Sequence, residues 1–350
     1  MRASSLYVPL TLALLASRTL ADGGAQHQVK QTPPVKMGTS GGSVSDHSNT
    51  YCCGGTLGSL VSRDGTLCIL SNNHILARSG SAATGEDTLQ PGLIDSNCSG
   101  TTSNIVGDFA GNLVPLGSAN VDVGLSTARA NVDASGSILD IGVPCAGVQA
   151  AAIGLPVMKS GRTTGFTTGT ITSINTSVTI QYQRGCNTGR RFNISYTNQI
   201  VTGAMSAGGD SGSLLVSNDG SPNPVGLLYA GSASTTIYNR IQDVVSALSS
   251  GGHTFAFVGN NCFTAEGSPF ATPPAELVDA ATEVKVENEY ELFQHPGVLG
   301  VGVGAAEDNP AAAAIVVYLD SPNGRIPATL PTVIGGFPVR VILTDRFVAQ

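Results

Sequence analysis

The 350-residue sequence predicts an all-β domain followed by a small α+β unit. Between Cys52 and Cys262, short aliphatic and β-branched runs alternate with Gly, Asn, Asp and Ser, a pattern typical of many short strands joined by turns. Charged residues make up only 12% of the chain, which contains 44 glycines, and this disfavours coiled coils and charged disorder. With a formal net charge of −7 the chain lacks the basic surface that nucleic acid requires, so we expect no nucleic-acid partner.

Individual elements follow from local patterns. A helix is predicted over 241–248, because Ile241, Val244, Val245 and Leu248 repeat at helical spacing. The clearest strand candidates are 56–62, 66–70, 169–183, 199–202, 213–216 and 225–229.

The N-terminal 21 residues have the three parts of a secretory signal. Arg2 supplies the positive charge, residues 6–16 are apolar, and Thr19-Leu20-Ala21 places small residues before a cleavage point. The apolar run is too short to span a bilayer and no other run approaches twenty residues, so we expect a secreted protein without a membrane span. Residues 22–45 are polar and Gly/Ser-rich, which predicts a flexible lead or pro-segment before the strand-rich domain at 46–262.

The seven cysteines are expected to form extracellular disulfides. Their number is odd, so one thiol is free or bonds another chain, and the sequence leaves the connectivity open. No two cysteines have C-x-x-C spacing, which argues against zinc, and we expect neither a metal nor a cofactor. The cysteines are Cys52, Cys53, Cys68, Cys98, Cys145, Cys186 and Cys262.

Three residues in the order His, Asp, Ser predict nucleophilic catalysis. His74 ends an Ile-Leu-Ser-Asn-Asn-His run, Asp122 lies in a Val-Asp-Val-Gly-Leu run, and Ser211 is the serine of Gly-Asp-Ser-Gly. Acyl transfer by serine needs an imidazole to accept the hydroxyl proton and a carboxylate to orient that imidazole. The flexible Gly208-Gly209 pair would let the amides of Gly209 and Ser211 form an oxyanion hole.

Each member of this set has an alternative interpretation. Gly-Asp-Ser-Gly in a glycine-rich chain can be a simple turn, and Asp108, Asp133 and Asp140 are other candidates for the orienting acid. We favour Asp122 because a carboxylate in an apolar strand-like run needs a polar partner.

Residues 52–250 resemble the chymotrypsin-like serine peptidases of the secreted microbial type. Asn72-Asn73-His74 is similar to the histidine loop of that family, Gly-Asp-Ser-Gly matches its serine motif, and residues 159–165 resemble the strand that opens its second barrel. Residues 227–232 resemble the segment that pairs with the substrate backbone, which implies substrate-binding roles for Tyr229 and Gly231. The resemblance implies two antiparallel six-stranded β-barrels with the triad between them.

The sequence departs from the family pattern in two places. No basic residue precedes an Ile-Val-Gly-Gly sequence, so Asp210 lacks the new N-terminus with which it would otherwise pair. Met205 stands where the family often sets primary specificity, six residues before Ser211, and predicts a neutral, apolar pocket.

The C-terminal part begins after a proline-rich linker at 263–275. A helix is predicted over 276–293, followed by strands at 298–303, 313–319 and 338–343. We interpret 276–350 as an α+β accessory domain that contacts the catalytic domain. A PDZ-like peptide-binding domain is the alternative, with Pro296-Gly297 opening its carboxylate loop.

These patterns predict a secreted serine endopeptidase that acts on protein or peptide substrates through an acyl-enzyme. One alternative is a secreted, non-catalytic peptide-binding module on a peptidase fold. Another is an α/β-hydrolase esterase that uses Ser211, Asp243 and His253, although Ser213 replaces the second glycine of the required elbow.

Overall fold

The computed structural model describes residues 24–262, 272–320 and 325–350. The predicted signal segment, 1–21, lies outside the described residues, as does most of the predicted linker at 263–275. None of the helices in the described ranges is long and apolar enough to cross a membrane.

The first barrel contains six strands, one of which is bent. Strands β2 and β3 are separated only by Gly58, whose N–H donates to the carbonyl oxygen of Leu70 on β4 (2.9 Å). The pairing order β3-β4-β7-β6-β5-β1-β2 therefore closes on itself. The strands are β1 (Thr39–Ser43), β2 (Gly55–Leu57), β3 (Ser59–Arg63), β4 (Thr66–Ser71), β5 (Asp87–Gln90), β6 (Asn104–Phe109) and β7 (Gly124–Ala128).

The second barrel is also six-stranded and antiparallel. Its order β10-β13-β12-β11-β8-β9 is closed by pairing of the two long strands, β9 with β10. The strands are β8 (Pro156–Gly161), β9 (Gly165–Gln183), β10 (Arg191–Gly203), β11 (Leu214–Ser217), β12 (Pro224–Gly231) and β13 (Thr235–Arg240). The predicted fold class, two six-stranded antiparallel barrels, is thus confirmed.

Both barrels have apolar cores because alternate side chains of their strands point inwards, and the core of the first continues onto β11 and β12 of the second. In the first barrel Leu57, Leu60 and Ile69 are fully buried, and in the second Val157 and Leu228 are. Further short elements connect or cover the barrels: α2 (Asn73–Leu76), α3 (Ile241–Ser249), β14 (Phe255–Phe257) and two 3-10 helices at Leu93–Asp95 and Gly100–Thr102. The predicted helix at 241–248 is confirmed.

The segment 24–45 differs from the expected flexible lead. It contains α1 (Ala25–Gln28) and β1, which is paired on both sides within the first barrel. Val35 and Met37 are buried in that barrel's core. The polar composition misled the prediction, because Thr39–Ser43 is a small-residue strand whose stability comes from ladder hydrogen bonds and close packing.

The C-terminal part extends the second barrel. Strand β15 pairs with the convex, long strand β9, so the helix and strands share a continuous sheet with the barrel. Val278, Ala281 and Leu292 of the helix pack on this added sheet, which confirms the predicted helix-plus-strand unit. The elements are α4 (Ala275–Gln294), β15 (Val298–Ala305), β16 (Ala313–Asp320), β17 (Val333–Ile334), β18 (Phe337–Thr344) and β19 (Val348–Ala349).

Six of the seven cysteines are paired, as Cys52–Cys98, Cys53–Cys186 and Cys145–Cys262. Cys68 is the free thiol that the odd number requires, and it is buried in the first barrel. The Cys53–Cys186 bond joins the first barrel region to the β9–β10 hairpin of the second.

Candidate active site

His74 and Asp122 meet because their strands are neighbours in the first barrel. β4 leads directly into α2, which carries His74, while Asp122 immediately precedes β7, and Ser71 of β4 pairs with Gly124 of β7. Nδ1 of His74 lies 2.5 Å from Oδ2 of Asp122. Since Asp122 is an acceptor, this contact places a proton on Nδ1 and leaves Nε2 directed at the cleft.

Asp122 is fully buried, and donors surround its carboxylate. The backbone amides of Asn73 (2.8 Å) and His74 (3.2 Å) donate to Oδ1, while the Tyr182 hydroxyl donates to Oδ2 (2.9 Å). A buried carboxylate is tolerated only with such compensation, and these donors also fix the direction in which Asp122 meets His74.

Tyr182 is a site residue that sequence reasoning missed. It reaches Asp122 from β9 of the second barrel, and its hydroxyl also contacts the Tyr196 hydroxyl at 2.8 Å. Burial, reinforced by the negative charge of Asp122, raises the pKa of Tyr182 well above its ordinary value, so the phenol stays protonated as a donor. The only signal in the sequence is an aromatic residue on an alternating strand, which is not specific.

Opposing effects act on the imidazole of His74. Burial lowers its pKa, but the charge of Asp122, its hydrogen bond and the main-chain oxygen of Gln350 outweigh burial, so the pKa is raised above the ordinary 6.5. The Nε2 atom lies 3.3 Å from the Gln350 oxygen. Because Nδ1 already donates to Asp122, this second contact requires the doubly protonated imidazolium.

Ser211 lies in a tight turn directly before β11. Gly209 (φ 98°) and Gly212 (φ 95°) adopt left-handed conformations, and the Thr56 amide donates to the Ser211 carbonyl oxygen at 2.8 Å. The Ser211 hydroxyl donates to the carbonyl oxygen of Tyr229 at 3.2 Å. No hydrogen bond joins the described side chains of Ser211 and His74, but both contact groups that bond Gln350: Ser211 shares the Tyr229 oxygen with the Gln350 amide, and His74 contacts the Gln350 oxygen.

The two amides expected to form the oxyanion hole donate no hydrogen bond to any other described residue. Asp210 N–H donates to the Ala207 oxygen at 3.0 Å, whereas the amides of Gly209 and Ser211 have no acceptor among the described residues. The Gly209 carbonyl oxygen is held by the Thr56 hydroxyl at 3.0 Å, which orients the peptide on one side of the turn.

Lys159 on β8 supplies the cation that Asp210 needs. Its Nζ lies 3.3 Å from Oδ2 of Asp210, and both side chains are fully buried. Asp210 also accepts hydrogen bonds from the amides of Thr163 and Ala207 and from the amide and hydroxyl of Thr164. The sequence predicted that Asp210 lacks a new N-terminus as its partner, and the structure pairs it with an internal lysine instead, so this carboxylate needs no chain cleavage to be paired.

Met205 does not line the cleft, which corrects the expected apolar pocket. Its side chain is buried in the second barrel's core, and its Sδ lies 3.6 Å from the Tyr238 hydroxyl. The side chain of Ser206 instead contacts the C-terminal segment, where its hydroxyl donates to Oε1 of Gln350 at 2.5 Å. Successive side chains of an extended segment face opposite sides, and the sequence did not reveal which side faces the core.

Tyr229 and Gly231, the other predicted substrate-binding residues, contact the C-terminal segment. The Gln350 amide donates to the Tyr229 oxygen at 3.3 Å, and Gly231 pairs with Val348. A Cβ at Gly231 would lie 2.6 Å from the backbone oxygen of Thr235 and would also meet the Gln350 side-chain amide, so glycine permits this close packing.

A cleft of about 270 Å³ continues from Gln350 past His74. Cys53, Gly54, Arg78 and Gly209 are among the residues that line it. Asp46 also lines this cleft, where burial, opposed by Arg78 and His74, raises its pKa to about 6.

The other candidate acids have different partners. Asp108 pairs with Arg129, Asp133 caps a turn at Ser135, and Asp140 bonds the buried His27. For the esterase alternative, Asp243 pairs with Arg240 and His253 pairs with Asp64. The structure therefore does not bring Asp243 and His253 into a relay with Ser211.

Comparison with known proteins gives structural similarity without close sequence similarity. No protein-family model matches the chain, and no curated protein matches it. A solved glutamic acid specific serine protease, described as using a histidine triad in substrate binding, is 20% identical over 64% of this chain and 100% of its own, with a TM-score of 0.44. Thermobifida fusca Protease A is 21% identical over 61% and 95% (TM-score 0.40), and Cellulomonas bogoriensis chymotrypsin is 22% identical over 59% and 91% (TM-score 0.37).

Proposed function

We propose that this protein is a secreted serine endopeptidase that cleaves peptide bonds with Ser211, His74 and Asp122. The observation that carries the proposal is the 2.5 Å contact of His74 Nδ1 with a wholly buried Asp122. Supporting it, Ser211 bonds the same Tyr229 oxygen as the amide of Gln350, whose own oxygen contacts His74. Three disulfides suit an oxidising, extracellular setting.

In the proposed mechanism, the Ser211 side chain rotates from the Tyr229 oxygen towards His74 Nε2. Neutral His74 accepts the hydroxyl proton as Oγ attacks the scissile carbonyl, and Asp122 stabilises the resulting imidazolium. The Gly209 and Ser211 amides donate to the oxyanion. The imidazolium then protonates the leaving amine, and a water molecule, deprotonated by His74, hydrolyses the acyl-enzyme.

Labelling with a fluorophosphonate, which phosphonylates an activated serine, tests the proposal. We expect a single adduct, located on Ser211 by peptide mass mapping, and none in Ser211→Ala. His74→Ala should label at least about a hundredfold more slowly, because the serine loses its base. A matched control is His253→Ala, whose imidazole contacts Asp64 away from the cleft and should leave labelling unchanged.

The non-catalytic alternative has one observation in its favour, since Ser211 bonds Tyr229 rather than His74. A folded protein that binds peptides in the cleft but shows no adduct, even when residues 347–350 have been displaced, would favour that alternative and contradict the peptidase proposal.

A further inference from the structure

The last residues of the chain run through the cleft as an added strand. β19 pairs antiparallel with β12 and parallel with β9, so it lies between two strands of the second barrel. Phe347 anchors it: the side chain is fully buried, its ring lies 5.8 Å from that of Tyr318, and its carbonyl oxygen accepts from the Gln181 amide at 3.0 Å. This segment is therefore held by both packing and main-chain pairing.

The register of this strand is that of a peptide laid along β12. Ala349 pairs with Ala230, and Val348 pairs with Gly231. Extending this register by one residue places Gln350 opposite Tyr229. The Gln350 amide donates to the Tyr229 oxygen at 3.3 Å. Because hydrogen-bonded and non-bonded pairs alternate in an antiparallel ladder, Val348 and Gly231 form the next bonded pair.

The carbonyl group of Gln350 lies beside the catalytic base, with its oxygen 3.3 Å from His74 Nε2. The open part of the cleft begins on the far side of this group, next to Cys53, Gly54 and Gly209. Gln350 is thus bonded through its amide to the strand that also accepts the Ser211 hydroxyl, and through its oxygen to the catalytic base.

We propose that residues 347–350 are an intramolecular, substrate-like inhibitor of the cleft, and that the primary pocket accepts glutamine through Ser206. This inference rests on the proposed peptidase function, because it assigns the subsites of the same site. The substrates are peptides with glutamine on the acyl side of the scissile bond.

The pocket chemistry matches an uncharged amide. Ser206 has one hydroxyl proton, which it donates to Gln350 Oε1 (2.5 Å), so the Thr236 hydroxyl must donate across its 2.8 Å contact with Ser206. No cation contacts the Gln350 side chain among the described residues, and the nearby Asp210 is paired with Lys159. A glutamate or lysine side chain would enter without a counter-ion, which is costly.

Because residues 347–350 belong to the same chain as the cleft, they can occupy it even if their intrinsic affinity for it is low. A tethered segment has an effective concentration of about a millimolar, so an intrinsic dissociation constant of about 100 μM would leave roughly one cleft in ten free. Displacing the segment should therefore accelerate cleft reactions by about tenfold.

The test compares two full-length variants at one position. Val348→Pro removes the amide that pairs with Gly231, whereas Val348→Thr keeps both the amide and the side-chain shape. We expect Val348→Pro to react with the fluorophosphonate about tenfold faster than the wild type, and Val348→Thr to react at the wild-type rate. Gln350→Ala is a second opening variant, with Gln294→Ala on α4 as its control, should the proline variant unfold.

Peptide binding separates this inference from catalysis. In a Ser211→Ala background, we expect the labelled peptide Arg-Phe-Val-Ala-Gln to bind the Val348→Pro protein about tenfold more tightly than the Val348→Thr protein. Replacing the last residue of that peptide by Ala or Glu should weaken binding, and Ser206→Ala should abolish the preference for Gln over Ala.

The outcomes are distinct. If folded Val348→Pro and Gln350→Ala proteins label and bind like the wild type, the inhibitory role is wrong. If peptides ending in Ala or Glu bind as tightly as the Gln peptide, the assigned pocket preference is wrong. If the opening variants bind peptide but Ser211 still forms no adduct, the proposal that residues 347–350 occupy the cleft is supported and the peptidase proposal fails.

Discussion

Lys159 Nζ lies 3.3 Å from Asp210 Oδ2, and neither side chain is exposed to solvent. Burial lowers the pKa of Lys159, and the neighbouring Asp210 charge opposes that effect. The pair lies directly beneath the turn that carries Gly209 and Ser211, so the conformation of the nucleophile's turn depends on an ion pair within the chain.

Lys159→Met should therefore destabilise the protein, because it leaves a buried carboxylate without its cation. We expect a loss of about 3–5 kcal/mol in the free energy of unfolding, measured by urea denaturation, together with slower fluorophosphonate labelling. Arg240→Met, which breaks the partly exposed pair with Asp243, should cost only about 1 kcal/mol or less. Equal costs for the two variants would contradict this role for Lys159.

Tyr182→Phe tests the donor that reaches Asp122 from the second barrel. Removing a hydrogen bond to a buried carboxylate should lower the free energy of unfolding by about 1.5–3 kcal/mol. It should also reduce kcat/KM for peptide hydrolysis, measured in a protein opened by Val348→Pro, because His74 then has a less firmly oriented partner.

Tyr229→Phe is the matched control for Tyr182→Phe. The Tyr229 hydroxyl is equally buried but has no hydrogen-bond partner among the described residues. Its removal should leave the free energy of unfolding unchanged or increase it. A loss like that of Tyr182→Phe would show that packing of the tyrosine cluster, rather than the bond to Asp122, is what matters.

Inhibition by residues 347–350 should weaken as the pH rises. Burial lowers the pKa of His74, but Asp122 and the Gln350 oxygen together raise it above its ordinary value. Asp122 is present in the open and closed states alike, so only the Gln350 contact, which requires the imidazolium, favours the closed state. That stabilising contact is lost as the pH rises through the raised pKa of His74. The ratio of labelling rates, Val348→Pro over wild type, should fall towards one over that range.

Asp46 is a second group near His74 with a pKa in this range, since burial raises its pKa to about 6, although Arg78 and His74 oppose the rise. Asp46→Asn separates the two effects, while Asp122 and the neutral Tyr182 remain in place. The fall in the ratio should persist in Asp46→Asn, and its disappearance would assign the pH dependence to Asp46 instead.

The Cys53–Cys186 disulfide should contribute to stability by linking residues 133 positions apart at the edge of the cleft. The double variant Cys53→Ala/Cys186→Ala should lose about 2–5 kcal/mol of unfolding free energy. Cys68→Ala removes only the free, buried thiol and should cost about 1 kcal/mol or less. Thermal denaturation with and without reductant measures the stability of both variants. In the double variant, reductant can no longer destabilise the protein by breaking the Cys53–Cys186 bond.

Local patterns in the sequence predicted the elements well. Helix 276–293 and the strands after it were predicted closely because an apolar repeat and turn residues are encoded within a few neighbouring positions. The candidate triad could also be predicted, because Gly-Asp-Ser-Gly and Asn-Asn-His are contiguous motifs. The structure then places His74 beside Asp122 rather than beside Asp108, Asp133 or Asp140.

Polar composition was a poor guide to residues 24–45. The Thr39–Ser43 strand has no apolar alternation, and its place in the first barrel depends on partners at Gly55–Leu57 and Asp87–Gln90. The prediction that Met205 lines a pocket was wrong for a related reason: its side chain is buried in the second barrel's core, and it is the neighbouring Ser206 that contacts Gln350.

The sequence by itself determined the strand-rich composition, the helix of the C-terminal part and the identities of His74, Asp122 and Ser211 as candidates. Only the tertiary structure decided that Lys159 pairs with Asp210, that Tyr182 reaches Asp122 and that Gln350 enters the cleft. Periodicity and motifs act over a few residues, whereas these contacts join distant segments. They exist because the barrels close and because β15 and β19 extend the second barrel's sheet, and no local pattern encodes that closure.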